Sequence, residues 1–249
     1  MRSPKGICMR LVPILFALLA GCSSQAVWVY TPGKAIVSPS RTLPVRLAVL
    51  PLQEWREEGN TNASWVGLIP LVPFGRTDFN RPEGGGGFLA HSAYNSRPSE
   101  DYSKAIAREI AQTGMVTEVF YTERDNEPGV DYTLTGKIKN NRYSGHLYTY
   151  CLSFYGSLFW LFGAPAGSAS NELELSLELR RPGGGPPLWT SSTRGEYGRV
   201  IGLYYNFGAE FEGYPRLLRE GLEKALPELA EALEADAAMK VAAGAPGGI

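Results

Sequence analysis

Few side chains in this sequence have the type and spacing that covalent chemistry requires. Ser64, Ser153 and Ser168 carry nucleophilic hydroxyls, but none lies in a Gly-x-Ser-x-Gly turn, the motif that presents a catalytic serine. Cys151 follows His146 by five residues in a predicted strand, and an odd separation places the two side chains on opposite faces. We therefore assign no nucleophile, and a hydrolase with an unrecognised site is the third of three functional hypotheses.

Acidic side chains in one loop are the other group that could support acid-base chemistry. Glu54, Glu57 and Glu58 precede Asp78, and paired carboxylates are the groups that glycoside hydrolysis uses. Acidic residues in a loop are ordinarily solvated, so we assign them no catalytic role. The glycines at residues 84–87 do not form a phosphate-binding loop, because no Lys-Ser or Lys-Thr pair follows them. The sequence predicts a protein that is not an enzyme and binds no cofactor.

The amino-terminal segment has the three parts of a bacterial secretory signal peptide. Basic residues precede an apolar run at residues 11–19, and the small pair Ala20-Gly21 follows. As a helix this run would reach about 14 Å, against a hydrocarbon core of about 30 Å, so it is too short to cross a bilayer. We predict that residues 1–21 are removed and that the mature chain begins at Cys22.

The sequence Leu19-Ala20-Gly21-Cys22 resembles the lipobox that ends the signal peptide of bacterial lipoproteins. The resemblance implies that the Cys22 thiol receives a diacylglycerol group and that the new amino terminus is acylated by a fatty acid such as palmitate. Each buried methylene contributes about 0.8 kcal/mol, so two or three chains hold a domain firmly on a membrane. Ser23, which is not Asp, implies sorting to the outer membrane, with the domain facing the periplasm.

The charge balance argues against nucleic acid as a partner. The full chain has 24 basic and 25 acidic residues, and its formal net charge is −1. Removal of residues 1–21 takes away three basic residues and no acidic one, which leaves a net charge of −4. Because a nucleic-acid binder needs a basic surface, we predict no nucleic-acid partner.

The cysteines and histidines exclude two kinds of structural site. Cys8 leaves with the signal peptide and Cys22 carries lipid, so Cys151 is the one free thiol of the mature chain and has no partner for an internal disulfide. His91 and His146 are the only histidines, and neither lies at a metal-ligand spacing from the other or from Cys151. We predict no disulfide and no bound metal.

The mature chain divides into a tether, one domain and a tail. Residues 22–42 are rich in polar and small residues, which indicates a flexible tether. Residues 43–240 form the domain, and within it residues 53–97 show no sustained period and are predicted to be a long loop excursion. The Ala, Gly and Pro residues at 241–249 predict a disordered tail.

The domain has the pattern of an α+β fold: a mixed β-sheet with two amphipathic helices packed on it. The clearest strand covers residues 172–179, where leucines alternate with glutamates and a serine. The predicted strands are at residues 45–50, 116–121, 132–138, 172–179 and 188–193, and the predicted helices are at residues 98–114 and 215–239. Pro227 is expected to bend the second helix or to divide it in two.

This ordered set of elements is similar to the small domains of certain envelope lipoproteins. The segments "AVLPL", "DYTLTGKI" and "LELSLELRRPGGGPPLW" resemble the strands of the TolB amino-terminal domain, CsgG and LpoB, over residues 43–235 and outside the excursion. The resemblance implies a mixed sheet covered by helices and a role in envelope assembly through protein contacts. It supplies no catalytic signature, and residues 148–164 have no counterpart in the minimal domain.

Residues 148–162 are an apolar stretch rich in aromatic residues. If they form a strand, seven large side chains share one side and are the predicted contact residues. These are Tyr148, Tyr150, Leu152, Phe154, Leu158, Trp160 and Phe162. We expect the helix at residues 217–233 to cover them as core or docking surface. Membrane insertion as a hairpin with residues 172–179, or a patch for a protein partner, are the alternatives.

Three functional hypotheses follow. The first is a non-enzymatic, lipid-anchored protein of the outer membrane that recruits or supports another envelope protein. The second is a subunit of an oligomeric channel or secretion complex that inserts residues 148–179 into the bilayer. The third is the hydrolase considered above.

Overall fold

The structure is a computed structural model that describes residues 24–37, 39, 41–125, 127–183 and 185–244, with side chains to residue 240. The predicted signal peptide at residues 1–21, the lipidation of Cys22 and the sorting role of Ser23 lie outside the described residues. So does the end of the predicted tail, at residues 245–249.

Within the described residues the chain forms ten strands and three α-helices. The strands are β1 (Gln25–Val27), β2 (Leu43–Val49), β3 (Gln53–Glu54), β4 (Asn60–Ala63), β5 (Phe74–Phe79), β6 (Ala93–Asn95), β7 (Val116–Tyr121), β8 (Tyr132–Tyr148), β9 (Gly167–Arg180) and β10 (Trp189–Ile201). The helices are α1 (Pro98–Thr113), α2 (Leu158–Leu161) and α3 (Gly213–Gly244), and short 3-10 helices cover Ser64–Leu68, Pro82–Gly84 and Ser153–Ser157.

The main sheet is open and mixed. Its strand order is β10-β9-β8-β2-β7, with β2 parallel to both β7 and β8 and with β9 antiparallel to both β8 and β10. β8 is long enough to pair with β2 near its start, with β3 further along, and with β5 at its end. The prediction of an α+β fold with a mixed sheet and two packed amphipathic helices is confirmed.

The alternating leucines of β9 form the centre of the core. All four are buried, and the glutamates and serine between them lie on the partly exposed face of the sheet. The buried leucines of β9 are Leu173, Leu175, Leu177 and Leu179, and those of α3 that pack in the same core are Leu217, Leu218, Leu222, Leu226, Leu229 and Leu233. Because these leucines lie beneath α3, they are not available to lipid as one arm of an inserted hairpin.

Both amphipathic helices follow the sequence pattern closely. α1 buries Tyr102, Ala105, Ile106 and Ile110, and it ends at Gly114, whose φ of 67° only glycine adopts without strain. α3 is one continuous helix that contains Pro227 and extends to Gly244. The disordered tail predicted from residue 241 is therefore wrong over residues 241–244.

Residues 53–97 are not the loop excursion that the sequence predicts. They contain β3 to β6, and β5 pairs antiparallel with the end of β8. Gly75, Thr77 and Phe79 point inward from β5, where Phe79 stacks on Tyr143 with ring centroids 6.1 Å apart. This strand is short and half polar, so its sequence shows little hydrophobic periodicity. Its burial depends on pairing with β8.

The prediction of a tether at residues 22–42 is wrong for the described residues from Ser24 to Tyr30. β1 pairs parallel with β6, and Trp28 packs edge-on against Tyr102 at 4.9 Å. Tyr30 is buried and donates a hydrogen bond of 2.6 Å to Glu109. Two aromatic rings supply enough apolar surface to hold a short polar segment on the domain.

Among the described residues, no helix has the length and apolar character needed to span a bilayer.

Candidate functional site

The predicted strand at residues 148–162 is wrong. β8 ends at Tyr148, and the chain then forms a turn, the 3-10 helix Ser153–Ser157 and the one-turn helix α2. Tyr150, Cys151 and Ser153 have positive φ angles of 55° to 64°, which no strand contains. Gly156 allows the return of the chain, because a Cβ atom there would lie 1.9 Å from the Thr149 carbonyl oxygen.

The seven predicted contact residues do not share one face, and α3 does not cover them. Tyr148, Tyr150 and Trp160 are half-buried. Leu152, Phe154, Leu158 and Phe162 are exposed, and Phe162 reaches 86% exposure. The expectation of a covered core face is therefore wrong for these four residues.

Two further apolar segments lie beside this loop, and the sheet brings all three together. Phe74, at the start of β5, pairs with Tyr148 at the end of β8. Gly167, at the start of β9, pairs with Leu147 of β8 and with Ile201 at the end of β10. The segments attached to these strand ends are residues 63–75, 147–166 and 200–209, and we refer to them together as the apolar tip.

The apolar tip contains nearly all of the large hydrophobic side chains that are exposed in the described residues. The exceptions are Val27, Val29, Trp55 and Met239. The exposed members of the tip are Trp65, Leu68, Ile69, Leu71, Phe74, Leu152, Phe154, Tyr155, Leu158, Phe159, Leu161, Phe162, Val200, Tyr204, Tyr205 and Phe207. A contiguous exposed patch of this kind marks an interaction surface.

None of the three segments contains a charged residue. Arg76 follows the first, Glu172 is the next charge after the second, and the third lies between Arg199 and Glu210. The first segment lies within residues 53–97, which the sequence predicts to be a loop excursion, and residues 200–209 were not singled out from the sequence. The signal that identifies all three is a run of large apolar residues without charge at a predicted strand end.

Hydrogen bonds hold the first two segments in a defined arrangement. Leu71 N–H donates to the Cys151 carbonyl oxygen at 3.0 Å, and Thr149 N–H donates to that of Pro73 at 2.9 Å. The Ser153 hydroxyl donates to the Leu68 carbonyl oxygen at 2.5 Å. The exposed side chains are therefore presented on a built scaffold.

The polar atoms of three aromatic residues of the tip form hydrogen bonds within this scaffold. Trp160 Nε1 donates to the Tyr148 carbonyl oxygen at 3.0 Å, and the Tyr150 hydroxyl donates to that of Pro165 at 2.7 Å. Burial raises the pKa of the Tyr150 hydroxyl above its ordinary value. The Tyr204 hydroxyl donates to Leu161 at 2.9 Å and so connects the third segment to the second.

Backbone strain is concentrated in the tip. In the part of the chain that the structure describes, the non-glycine residues with positive φ all belong to its segments. They are Leu71, Tyr150, Cys151, Ser153 and Asn206. Such conformations cost about 1–3 kcal/mol each and cluster at functional sites, so the tip's shape is maintained against a local penalty.

The described chain begins beside the tip. The Ser24 hydroxyl donates to the Ala90 carbonyl oxygen at 2.8 Å and lies 3.1 Å from His91 Nδ1. His91 Nε2 lies 3.0 Å from the Gly208 carbonyl oxygen in the third segment. One imidazole ring therefore bridges Ser24 and the base of the tip.

A small cavity under the tip is lined in part by His146, which also forms a serine-histidine pair with Ser168. The cavity has a volume of about 190 Å³, and its lining includes Ser64, His146 and Trp160 but no acidic side chain. Ser168 Oγ lies 3.3 Å from His146 Nδ1. Without a third group to orient the imidazole, the pair lacks the arrangement that activates a serine. Cys151 is exposed and does not join it.

Two of the loop acids that could have formed an acid-base site, Glu54 and Asp78, are engaged in short ion pairs. Glu54 and Glu83 contact Arg56 at 2.6 and 2.5 Å. Burial alone would lower the pKa of the Arg56 guanidinium, but the hydrogen bonds that it donates to these carboxylates raise that pKa above its ordinary value. Asp78 contacts Arg76 and Arg142, each at 2.5 Å. These acids therefore stabilise the fold around a buried cation and a sheet face.

In the described ranges, no three His, Cys, Asp or Glu side chains lie close enough together to hold a metal ion.

Comparisons with known proteins give a distant structural likeness. No protein-family model matches this chain, and no curated protein matches its sequence. Among solved structures, the chain is similar to protein XCC0632 from Xanthomonas campestris, described as a member of family DUF330. The TM-score is 0.45 at 10% identity, over 86% of this chain and 99% of that one. The resemblance to TolB, CsgG and LpoB is not confirmed and stays a prediction.

Proposed function

We propose that the protein is a non-enzymatic, lipid-anchored protein of the bacterial outer membrane whose domain faces the periplasm and supports another envelope component. The observation that carries the proposal is the apolar tip, which brings three uncharged segments to the end of the molecule where Ser24 lies. Cys22, two residues earlier, is the proposed site of acylation, and Ser23 directs sorting.

The position of Ser24 supports an anchor that holds the domain close to the membrane. A fully extended chain spans about 3.3–3.6 Å per residue, so Cys22 lies within about 7 Å of Ser24. Ser24 is itself bonded to residues 90 and 91 of the body. The acyl chains therefore emerge beside the tip, without a long tether between bilayer and domain.

The surface opposite the helices is suited to contacts with a protein partner. On this face β9 presents Glu172, Glu174 and Glu178, and β10 presents Arg194 and Glu196. Charged side chains on an open sheet face discriminate between partners through complementary potentials. The support function that we propose uses this face, while the tip and the anchor fix the domain's position.

The anchor is tested by replacing the thiol. Cys22→Ser should incorporate no labelled palmitate and should release folded protein into the soluble periplasmic fraction. Cys151→Ser is the matched control, because it removes the other thiol of the mature chain, and it should stay in the membrane fraction with full label. Membrane retention of Cys22→Ser at the level of the unaltered protein would contradict the anchor.

The support function is tested by charge reversal on the open face. Glu174→Lys combined with Arg194→Glu should abolish co-purification of a defined envelope partner with the lipidated protein. Met239→Glu, a change at an exposed position of α3, should leave co-purification intact. Equal capture by both variants would exclude the sheet face as the contact surface.

A further inference from the structure

We propose that the apolar tip inserts into the interfacial layer of the lipid bilayer that holds the Cys22 anchor. The domain would then be attached at two points, with a fixed orientation. This inference rests on the proposed function for the position of the anchor, and it names the surface that the tip contacts.

The described chain starts beside the tip, and this position is the first reason to place the tip at the membrane. Residues 1–23 lie outside the described residues, and the chain enters at Ser24, which His91 connects to Gly208 of the tip. An acyl group on Cys22 must reach the bilayer from this point. The tip therefore lies at the membrane surface whenever the anchor is inserted.

The composition of the tip is a second reason to expect contact with lipid. Its exposed side chains combine aliphatic residues such as Leu158 with amphipathic aromatic residues such as Trp65 and Tyr204, and none is charged. Aromatic residues of this type concentrate where lipid headgroups meet the hydrocarbon. Protein interfaces, in contrast, are enriched in arginine and have a polar rim.

The hydrogen bonding of the tip's backbone is a third reason for this proposal. Irregular chain enters hydrocarbon only where its polar groups are bonded. In the second segment Leu152, Tyr155, Phe162 and Gly163 donate their N–H groups to carbonyl oxygens of the same segment. This bonding permits shallow insertion, and the irregular turns limit its depth to the interfacial layer, about 5–10 Å.

Cys151 provides a native reporter for this contact, because it is an exposed thiol within the tip. The probe is the mature chain from residue 22 with Cys22→Ser, labelled at Cys151 with an environment-sensitive fluorophore. The described core begins after residue 22, so the absence of acyl chains leaves it intact. With vesicles of phosphatidylethanolamine and phosphatidylglycerol, we expect blue-shifted emission that nitroxide groups on the acyl chains quench.

A second label distinguishes insertion of the tip from adsorption of the whole domain. Thr190→Cys, with Cys22 and Cys151 both replaced by serine, places the fluorophore at the opposite end of β10, about 36 Å from Ile201 at roughly 3.3 Å per residue. We expect its emission to stay that of an aqueous environment, without quenching. Equal quenching at residues 151 and 190 would contradict the proposed orientation.

Variants with a new charge test which side chains insert. Leu158→Glu and Phe162→Glu alter exposed residues, so the fold is retained, and each should raise the lipid concentration for half-maximal binding about tenfold or more. Met239→Glu introduces the same charge on α3 and should bind like the unaltered chain. Unchanged binding by both tip variants would overturn the proposal.

The remaining outcomes separate this inference from the proposed function. If palmitate labels Cys22 but the Cys151 label stays aqueous in the lipidated, vesicle-bound protein, the anchor is correct and insertion of the tip is wrong. If Cys22 carries no lipid but the tip still binds vesicles, the anchor fails and the tip contact stands. If tip variants convert a lipid-free dimer to a monomer in sedimentation and do not bind lipid differently, the occupant is a second copy and the inference fails.

Discussion

The leucine face of β9 and the apolar tip are both rich in large hydrophobic residues, but they meet opposite surroundings. Leu175 is 2% exposed beneath α3, whereas Leu158 is 53% exposed in the tip. The leucine face repeats every second residue and has a helix whose apolar stripe matches it. The tip has no such period, and none of the elements that the structure describes covers it. The comparison shows that an apolar segment is buried when its side chains repeat on one face and another element presents a matching apolar face.

The largest effect is expected at the covered face. Leu175→Asp places a carboxylate among leucines without a hydrogen-bond partner, which costs several kcal/mol and removes the cooperative folded state. Far-ultraviolet circular dichroism during urea titration measures it. An unchanged unfolding midpoint would show that the two faces of β9 are assigned the wrong way round.

The matched substitution in the tip sharpens the comparison. Leu158→Asp introduces the same group at an exposed position, and its free energy of unfolding should change by no more than about 0.5 kcal/mol. If both variants unfold at the same urea concentration, the contrast between covered and open apolar regions is incorrect.

Several elements could be predicted from the sequence because their signals are local and repeated. The leucine alternation gives β9, and the proline, acidic residues and glycine around residues 98–114 define α1. The apolar stripe of α3 is predicted in the same way, although Pro227 does not divide the helix.

The tip could not be predicted as a site, because no local sequence pattern specifies the conformation of residues 148–162 or the convergence of the three segments. The parity of residues 148–162 carries no information, since Tyr155, Phe159 and Leu161 are large apolar residues on the opposite parity. The convergence of the three segments depends on pairing of β5 with β8 and of β9 with β10. Likewise, the order of residues 24–30 depends on contacts of Trp28 and Tyr30 with α1, which is distant in the sequence.

The far end of the sheet also differs from the tip, because a network of charged side chains stabilises it. Asp236 is 2% exposed, accepts a hydrogen bond of 2.7 Å from Tyr132 and pairs with Arg181. Burial alone would raise the pKa of Asp236, but these partners lower it below its ordinary value. Its stabilising effect is therefore present above the ordinary pKa of an aspartate, about 3.9, and is lost as the pH falls through the lower folded value.

The test of this network is Asp236→Asn, which should destabilise the protein by about 2–3 kcal/mol at neutral pH, because charge-assisted hydrogen bonds are lost. The difference between variant and parent should shrink below about pH 4, as the parent's carboxylate is protonated. Denaturant unfolding at pH 7 and pH 3 measures both. A difference that grows toward low pH would show the opposite sign of linkage.

A smaller effect is expected from a methyl group inside the tip's scaffold. In Gly156→Ala the new Cβ would lie 1.9 Å from the Thr149 carbonyl oxygen, so the loop must shift, at a cost of about 1–2 kcal/mol. Because this strain is confined to the tip, hydrogen exchange should accelerate in residues 147–166 and stay unchanged in β9 and α1. Gly163→Ala is the control: its Cβ meets no atom within 4 Å, although its φ of 88° carries a backbone cost. Faster exchange throughout the core in Gly156→Ala would show that the tip and the core unfold as one unit.

The smallest change in stability, and the sharpest separation of stability from function, is expected at Phe162. Phe162→Ser removes an apolar side chain that is 86% exposed, so little buried area is lost and the free energy of unfolding should change by less than about 0.5 kcal/mol. The same substitution should weaken vesicle binding, because the exposed ring is not packed in the core and is free to contact lipid. Unfolding and vesicle sedimentation on one preparation measure both quantities. A large loss of stability with unchanged lipid binding would place Phe162 in the same class as Leu175, and the distinction between the two apolar regions would not hold.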